Sequence, residues 1–193
     1  MQYLYIKGTE ELFVLFHGTG GNENSLLGLT GEIDPYASVL SFEGNVGRGI
    51  NRRFFAPLIS GRVDREELKT RVDEFFKMWD NLEEVKVAKK INFIGYSNGA
   101  NFILALLEER PDIADKTYIL HPSDLGWKYT KKAEKNEIYF TVGAKDFIAP
   151  AGDIVQLKNK IETVIFPKTE LLLLDSGHEL NENEILKLKE VYK

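Results

Sequence analysis

The sequence predicts an α/β domain built on a mostly parallel sheet with helices on both faces. Three observations point there. Short apolar runs recur along the 193 residues, and segments with helical periodicity separate them. Several runs are apolar throughout rather than alternating, as expected of strands covered on both sides.

In chain order, "YLYIK" (3–7) and "LFVLF" (12–16) flank Gly8-Thr9-Glu10-Glu11 and predict a hairpin at one side of the sheet. A short helix is expected after Asn22, then a strand over "ASVLSF" (37–42). Asp64 opens the longest helix, with Glu67 at capping-box spacing, and Leu68, Val72, Phe75, Phe76 and Trp79 recur along one face. Strands follow over "INFIGY" (91–96), "KTYIL" (116–120), "EIYFTV" (137–142) and "ELLLLD" (170–175), with helices over 97–109, 150–162 and 181–192. No repeat, low-complexity tract or linker divides the chain, so one domain spanning 1–193 is expected.

Composition narrows the function classes. With 43% hydrophobic and 28% charged residues the chain reads as an ordinary globular domain. The net charge of −5 argues against nucleic acid or an anionic membrane surface as a partner. Cys is absent, which excludes disulfides, thiolate metal sites and cysteine nucleophiles. No stretch approaches the roughly 20 apolar residues of a membrane span, and the N-terminal segment lacks the pattern of a secretory leader. The expected location is therefore the cytoplasm, and a homodimer stays open.

The chemistry is expected where "INFIGY" passes into a helix through Gly95-Tyr96-Ser97-Asn98-Gly99. In a strand-to-helix nucleophile elbow the turn is so tight that the serine's neighbours two residues away must be very small. The serine hydroxyl is then displayed above the sheet edge, beside the unpaired N–H groups of a helix start. By composition the pattern would occur by chance in ~5% of chains this long; its position between a strand and a helix is what gives it weight.

A serine nucleophile needs a base and an acid that orients the base. Of His17, His121 and His178, the last lies in the turn between the final strand and the final helix, at the carboxyl edge where Ser97 emerges. Asp146, in "TVGAKDFIAP", stands at the end of another strand and gives the order Ser, Asp, His. Asp175 is the rival acid, though its nearness in sequence to His178 makes reaching the far ring nitrogen difficult. The glycine-rich "LFHGTGGNE" (15–23) ends a strand and predicts an oxyanion loop, with the N–H of Thr19 as one donor, Gly18 or Gly20 as alternatives, and the N–H of Asn98 as the second. His17 is expected to brace this loop.

The segment 43–62 carries four Gly and four Arg around two aromatics, and by its place after a strand it is a candidate pocket wall. Phe54, Phe55, Tyr96, His121 and Trp127 are the expected surroundings of an acyl or aryl group, and Arg52 and Arg53 could attract a substrate carboxylate.

With "HGTGGNE", "GYSNGAN", "GAKDFIAP" and "SGHEL" in this order, the sequence resembles the phospholipase/carboxylesterase family of α/β-hydrolases, and within it small bacterial hydrolases associated with quinone and hydroquinone resistance. Gly44-Asn45-Val46, Arg53-Phe54-Phe55 and His121-Pro122 add to the likeness, which spans nearly the whole chain. The resemblance implies an α/β-hydrolase fold without a large lid domain and hydrolysis of small carboxylic esters or thioesters, with Ser97 as nucleophile, Asp146 as acid and His178 as base. It implies no metal or organic cofactor. Where acyl-protein thioesterases carry Gln after the nucleophile this chain has Asn98. Two other classes compete with an esterase: a binding or sensing protein on the same scaffold, and a triad enzyme acting on lactones or carbon–carbon bonds.

Overall fold

A computed structural model describes residues 1–162, 165–166 and 168–193. Its centre is a seven-stranded sheet formed by β1 (Gln2–Ile6), β2 (Glu11–Phe16), β3 (Ser38–Glu43), β4 (Lys90–Tyr96), β5 (Lys116–Leu120), β6 (Glu137–Gly143) and β7 (Lys168–Leu174), in the spatial order β1-β3-β2-β4-β5-β6-β7. All neighbours are parallel except β1 with β3. The helices are α1 (Leu27–Ile33), α2 (Arg65–Trp79), α3 (Glu83–Val87), α4 (Asn98–Glu109), α5 (Ala151–Glu162) and α6 (Glu182–Tyr192).

Alternation along the inner strands builds two cores. Leu12, Val14 and Phe16 face the helices α2, α4 and α5, whereas Phe13 and Leu15 face α1 and α6. Because both faces are covered, β2 through β6 are buried almost end to end, which is why their sequences read as continuous apolar runs. None of the described helices is long and apolar enough to cross a membrane.

The expected hairpin between the first two strands does not form. The segment after β1 crosses the start of β3, where Gly8 N–H donates to Ser38 Oγ (2.9 Å) and Thr9 N–H to Tyr36 O (2.8 Å). β2 then enters on the far side of β3, and both of its edges are taken by parallel partners. β1 is left to cap the outer edge of β3 in antiparallel register, Leu4 opposite Ser41. A short link between two strands does not specify a hairpin when the second strand has two longer-range partners.

Asp64 caps α2 as expected, accepting from the N–H groups of Glu66 and Glu67 at 3.1 Å. Glu67 does not close the capping box. Its carboxylate accepts instead from Ala56 N–H (2.8 Å) and from Arg71 Nε (2.6 Å), and so holds the preceding loop on the helix.

Candidate active site

Five strands end in polar residues along one edge of the sheet: β2 in His17, β4 in Ser97, β5 in His121, β6 in the turn that reaches Asp146, and β7 in the turn that reaches His178. Parallel strands bring their carboxyl ends to one side, so residues far apart in sequence meet there.

Ser97 follows β4 with φ 51° and ψ −110°, a conformation that L residues with a side chain seldom adopt. Its surroundings hold it there: Ser97 N–H donates to Leu120 O of β5 (2.8 Å), and Ser97 O accepts from Asn101 N–H (3.0 Å). The flanking glycines are required by close approach. A Cβ at Gly99 would lie 2.1 Å from Phe16 O, and one at Gly95 would lie 2.6 Å from the Ile103 side chain and 2.8 Å from Ala100 N. The elbow therefore presses α4 directly onto the end of β2.

Ser97 Oγ lies 2.9 Å from His178 Nε2, and His178 Nδ1 lies 2.7 Å from Asp146 Oδ2. The other oxygen of Asp146 accepts the N–H groups of Ile148 (2.9 Å) and Ala149 (2.8 Å). Burial pushes the Asp146 carboxyl upward, but the Ala149 N–H and the two histidines outweigh it and hold the group below the usual carboxylate range. Asp175 plays no part in this chain, since its exposed side chain pairs with Lys145 at 2.7 Å.

Tyr96 ties His178 to the glycine-rich loop. Its ring packs where a Cβ on Gly18 would sit, tilts against the His178 ring at 5.5 Å, and its hydroxyl donates to His178 O at 2.8 Å. Desolvation pushes this phenol up to about 12, so it stays a neutral donor across the physiological range.

On the opposite side, His17 braces the glycine-rich loop. Its Nε2 accepts Gly44 N–H (3.0 Å), which leaves the proton on Nδ1 to be donated to Gly18 O (2.7 Å). In that loop the N–H of Gly20 is committed to Arg52 O (2.8 Å) and that of Gly21 to Gly18 O (3.0 Å). Asn98 begins α4, so its own N–H has no intrahelical acceptor. The Asn98 side chain is buried, its Oδ1 accepting Phe54 N–H at 2.8 Å.

This edge can also be set against known proteins. No protein-family model matches the chain. The structure superposes on the crystal structure of the Bacillus cereus carboxylesterase with a TM-score of 0.90 and 32% identity, covering 100% of this chain and 93% of that one. The chain belongs to the carboxylesterase family of α/β-hydrolases. The family likeness extends to MhqD of Bacillus subtilis (strain 168), which carries a hydrolase name and is 37% identical over 125 residues, 63% of this chain. That match spans 62% of MhqD's own length, under two thirds. A structure of YahD with malic acid superposes with a TM-score of 0.87 at 26% identity, covering 98% of this chain and 97% of that one.

Within the family fold, several residues expected around the substrate lie elsewhere. Phe54 and Trp127 have no exposed surface and Phe55 keeps 3%. Phe54 sits between Phe16, Phe102 and the His17 ring, and Trp127 lies beneath the Arg65 guanidinium with its Nε1–H on Ser123 O (3.0 Å). These aromatics anchor their loops from inside. Arg53 pairs its backbone with Val46 and turns its Nε–H to Asn51 O at 3.2 Å, while Arg52 pairs with Glu43 at 2.7 Å. The segment after β3 does line a cleft of about 360 Å³, but with Glu43, Asn45, Arg48 and Arg52 facing Met1 and Gln2 rather than Ser97.

His121 is likewise fully buried, behind Asp146 rather than in front of Ser97. It donates to the same Asp146 oxygen as His178, and its other nitrogen meets Glu184 Oε2 at 3.2 Å. The ligand-capable atoms of His121, Asp146 and His178 lie within 4.8 Å of one another, a spacing that a metal ion could use; here hydrogen bonds to the shared carboxylate account for it. Glu184 escaped the reading of the sequence because an acid in the first turn of a helix has a ready explanation in the helix dipole. Its register was the available signal: Glu184 and Leu188, four apart, are the buried pair of α6, so a carboxylate occupies an apolar position.

Proposed function

We propose that the chain is a serine hydrolase that cleaves small carboxylic esters or thioesters, with Ser97 as nucleophile, His178 as general base and Asp146 as the group that orients the base. The observation that carries this reading is the unbroken run of contacts from Ser97 Oγ through His178 to Asp146, at 2.9 and 2.7 Å. In the first half-reaction Ser97 Oγ bonds to the acyl carbon and its proton passes to His178 Nε2. The tetrahedral intermediate then expels the alcohol or thiol, which takes that proton. Water repeats the sequence on the acyl-enzyme, so that Ser97 is regenerated and a carboxylic acid leaves.

The oxyanion is held by the N–H of Asn98 and that of Thr19. Two features support this pair. Asn98 carries a helix-start N–H with no intrahelical acceptor, and Gly20, one of the two alternatives in the loop, already donates to Arg52 O. Removing one such donor from an acyl-transfer site costs ~10² to 10³ in kcat.

Ser97→Ala is the test. It should keep its thermal transition and lose activity on p-nitrophenyl esters by ~10⁶ in kcat, and a fluorophosphonate should label the wild-type chain at Ser97 and leave the variant unlabelled. Retention of wild-type turnover by the variant would overturn the assignment. A panel of oxyesters, acyl-CoA thioesters and lactones then sorts the substrate class.

A further inference from the structure

The hydrogen-bonded chain does not end at Asp146. Asp146 Oδ2 accepts from His178 Nδ1 at 2.7 Å and from His121 Nδ1 at 2.9 Å, and His121 Nε2 reaches Glu184 Oε2 at 3.2 Å. Glu184 Oε1 in turn accepts from Thr141 Oγ1 at 2.5 Å, and Glu184 N–H is capped by Asn181 Oδ1 at 3.1 Å. The side chains of His121, Asp146 and Glu184 are all 0% exposed. A carboxylate accepts and does not donate. With both acids ionised, the two nitrogens of His121 are satisfied only as donors, which makes the ring an imidazolium sealed between two carboxylates.

The backbone is arranged for this contact. His121 has φ 50°, like Ser97 one strand away, and its N–H donates to Thr141 O at 3.0 Å. A strained conformation at a bulky residue persists only where its surroundings over-determine it. Here the turn swings the imidazole off the end of β5 and beneath the Asp146 carboxylate.

We propose that His121 and Glu184 are positioning residues of the hydrolytic centre. His121 holds Oδ2 of Asp146 from behind, so that the carboxylate stays fixed on His178 Nδ1, and Glu184 keeps His121 in the doubly donating form that this requires. The inference rests on the reading of Ser97, His178 and Asp146 as the reacting triad. Neither residue touches the acyl group.

Charge bookkeeping gives the arrangement a signature. In the doubly donating form, Asp146, His121 and Glu184 together carry one net negative charge, as a lone aspartate would. Deleting the imidazolium leaves two carboxylates behind His178; deleting Glu184 as well returns the total to one. The groups facing His121 are Asp146, His178, Glu184 and Thr141, with the Tyr96 ring edge-on at 5.9 Å. Burial pulls the His121 ring down, and Glu184 and then Asp146 outweigh it and raise the ring above the usual histidine range.

The experiment compares the intact chain with His121→Gln, Glu184→Gln and the double variant, using p-nitrophenyl acetate turnover against pH, fluorophosphonate labelling and thermal melting. His121→Gln should lower kcat by ~10- to 100-fold, the size expected of a misplaced reacting group, with little change in KM. Its kcat/KM profile should lose activity on the acid side at higher pH, and adding Glu184→Gln should move that limb back. A residue that only filled space would change melting and leave the limb where it was. Wild-type kcat and an unmoved limb in a folded His121→Gln would overturn the inference while an inert Ser97→Ala left the triad reading intact. Full activity in Ser97→Ala would remove both. Should His121→Gln fail to fold, ¹⁵N spectra of the wild-type imidazoles decide: two protonated nitrogens on His121 at neutral pH support the proposal, and a neutral ring refutes it.

Discussion

Two histidines are buried one on each side of the Ser97 strand, and the fold holds them in opposite ionisation states. His17 ends β2 with 1% of its surface exposed, and His121 ends β5 with none. Burial pulls both rings toward the neutral form. Around His17 the partners are backbone: it accepts from Gly44 and donates to Gly18, so it needs only one proton and stays neutral. Around His121 the partners are Asp146 and Glu184, which demand two. Desolvation sets the cost of a charge, and the chemistry of the partners decides whether that charge is kept. The neutral ring pins the glycine-rich loop after β2; the charged ring stands behind the carboxylate that meets His178.

The largest break in this contrast comes from Asp146→Asn, which removes the charge on the His121 side and leaves the His17 side untouched. The replacement amide can place an N–H toward His178, favouring the wrong tautomer, and kcat should fall by ~10⁴ with the fold retained, as read from steady-state turnover beside a melting curve.

His17→Ala probes the other side and should act on stability more than on chemistry. It deletes a ring packed 4.8 Å from Phe54 and leaves Gly44 N–H and Gly18 O without their partner. A loss of ~3 kcal/mol is expected from the cavity and the unpaired groups together, measurable by urea denaturation. A loss confined to kcat, with stability unchanged, would show that the brace matters only to catalysis.

The smallest effect is the sharpest test of opposite ionisation. His17 has its folded-state value lowered by burial, so its contribution to stability is present above the unfolded value of about 6.5 and is lost as pH falls through the folded value. His121 has its value raised, by Glu184 and Asp146 against burial; its contribution is full below about 6.5 and is lost as pH rises through the folded value. Unfolding free energies across acid to alkaline pH should therefore lose part of their acid-side slope in His17→Gln and part of their alkaline-side slope in His121→Gln. The same direction of change in both variants would contradict the contrast.

Much of this was legible from local signals. The buried parallel strands read as apolar runs, and each is present within two residues of its expected ends. The elbow was legible because its two glycines answer a local demand for space, and the structure gives that demand its partners in Phe16 O and the Ile103 side chain. His178 and Asp146 stood at strand ends, and strand ends gather along one edge of a parallel sheet.

What escaped depended on partners that lie far off in the chain. β1 pairs with β3 rather than β2 because β2 is enclosed on both edges. Phe54 and Trp127, read as substrate contacts, proved to be internal anchors, since an aromatic's hydrophobicity is the same facing a core or a cleft. Asn98 is similar: its place directly after Ser97 was evident, but only the fold shows its side chain tethering Phe54 N–H, 44 residues away.

By itself, then, the sequence determined the layered α/β architecture, the elbow that presents Ser97 and the chain order of the three residues that meet there, because periodicity and glycine spacing encode local geometry. Only the tertiary structure decided which carboxylate reaches His178, which histidine meets backbone groups and which meets two acids, and that Glu184 completes a buried network through an apolar helix position. Those choices depend on distances and burial set by packing between elements, on which a linear pattern carries no direct record.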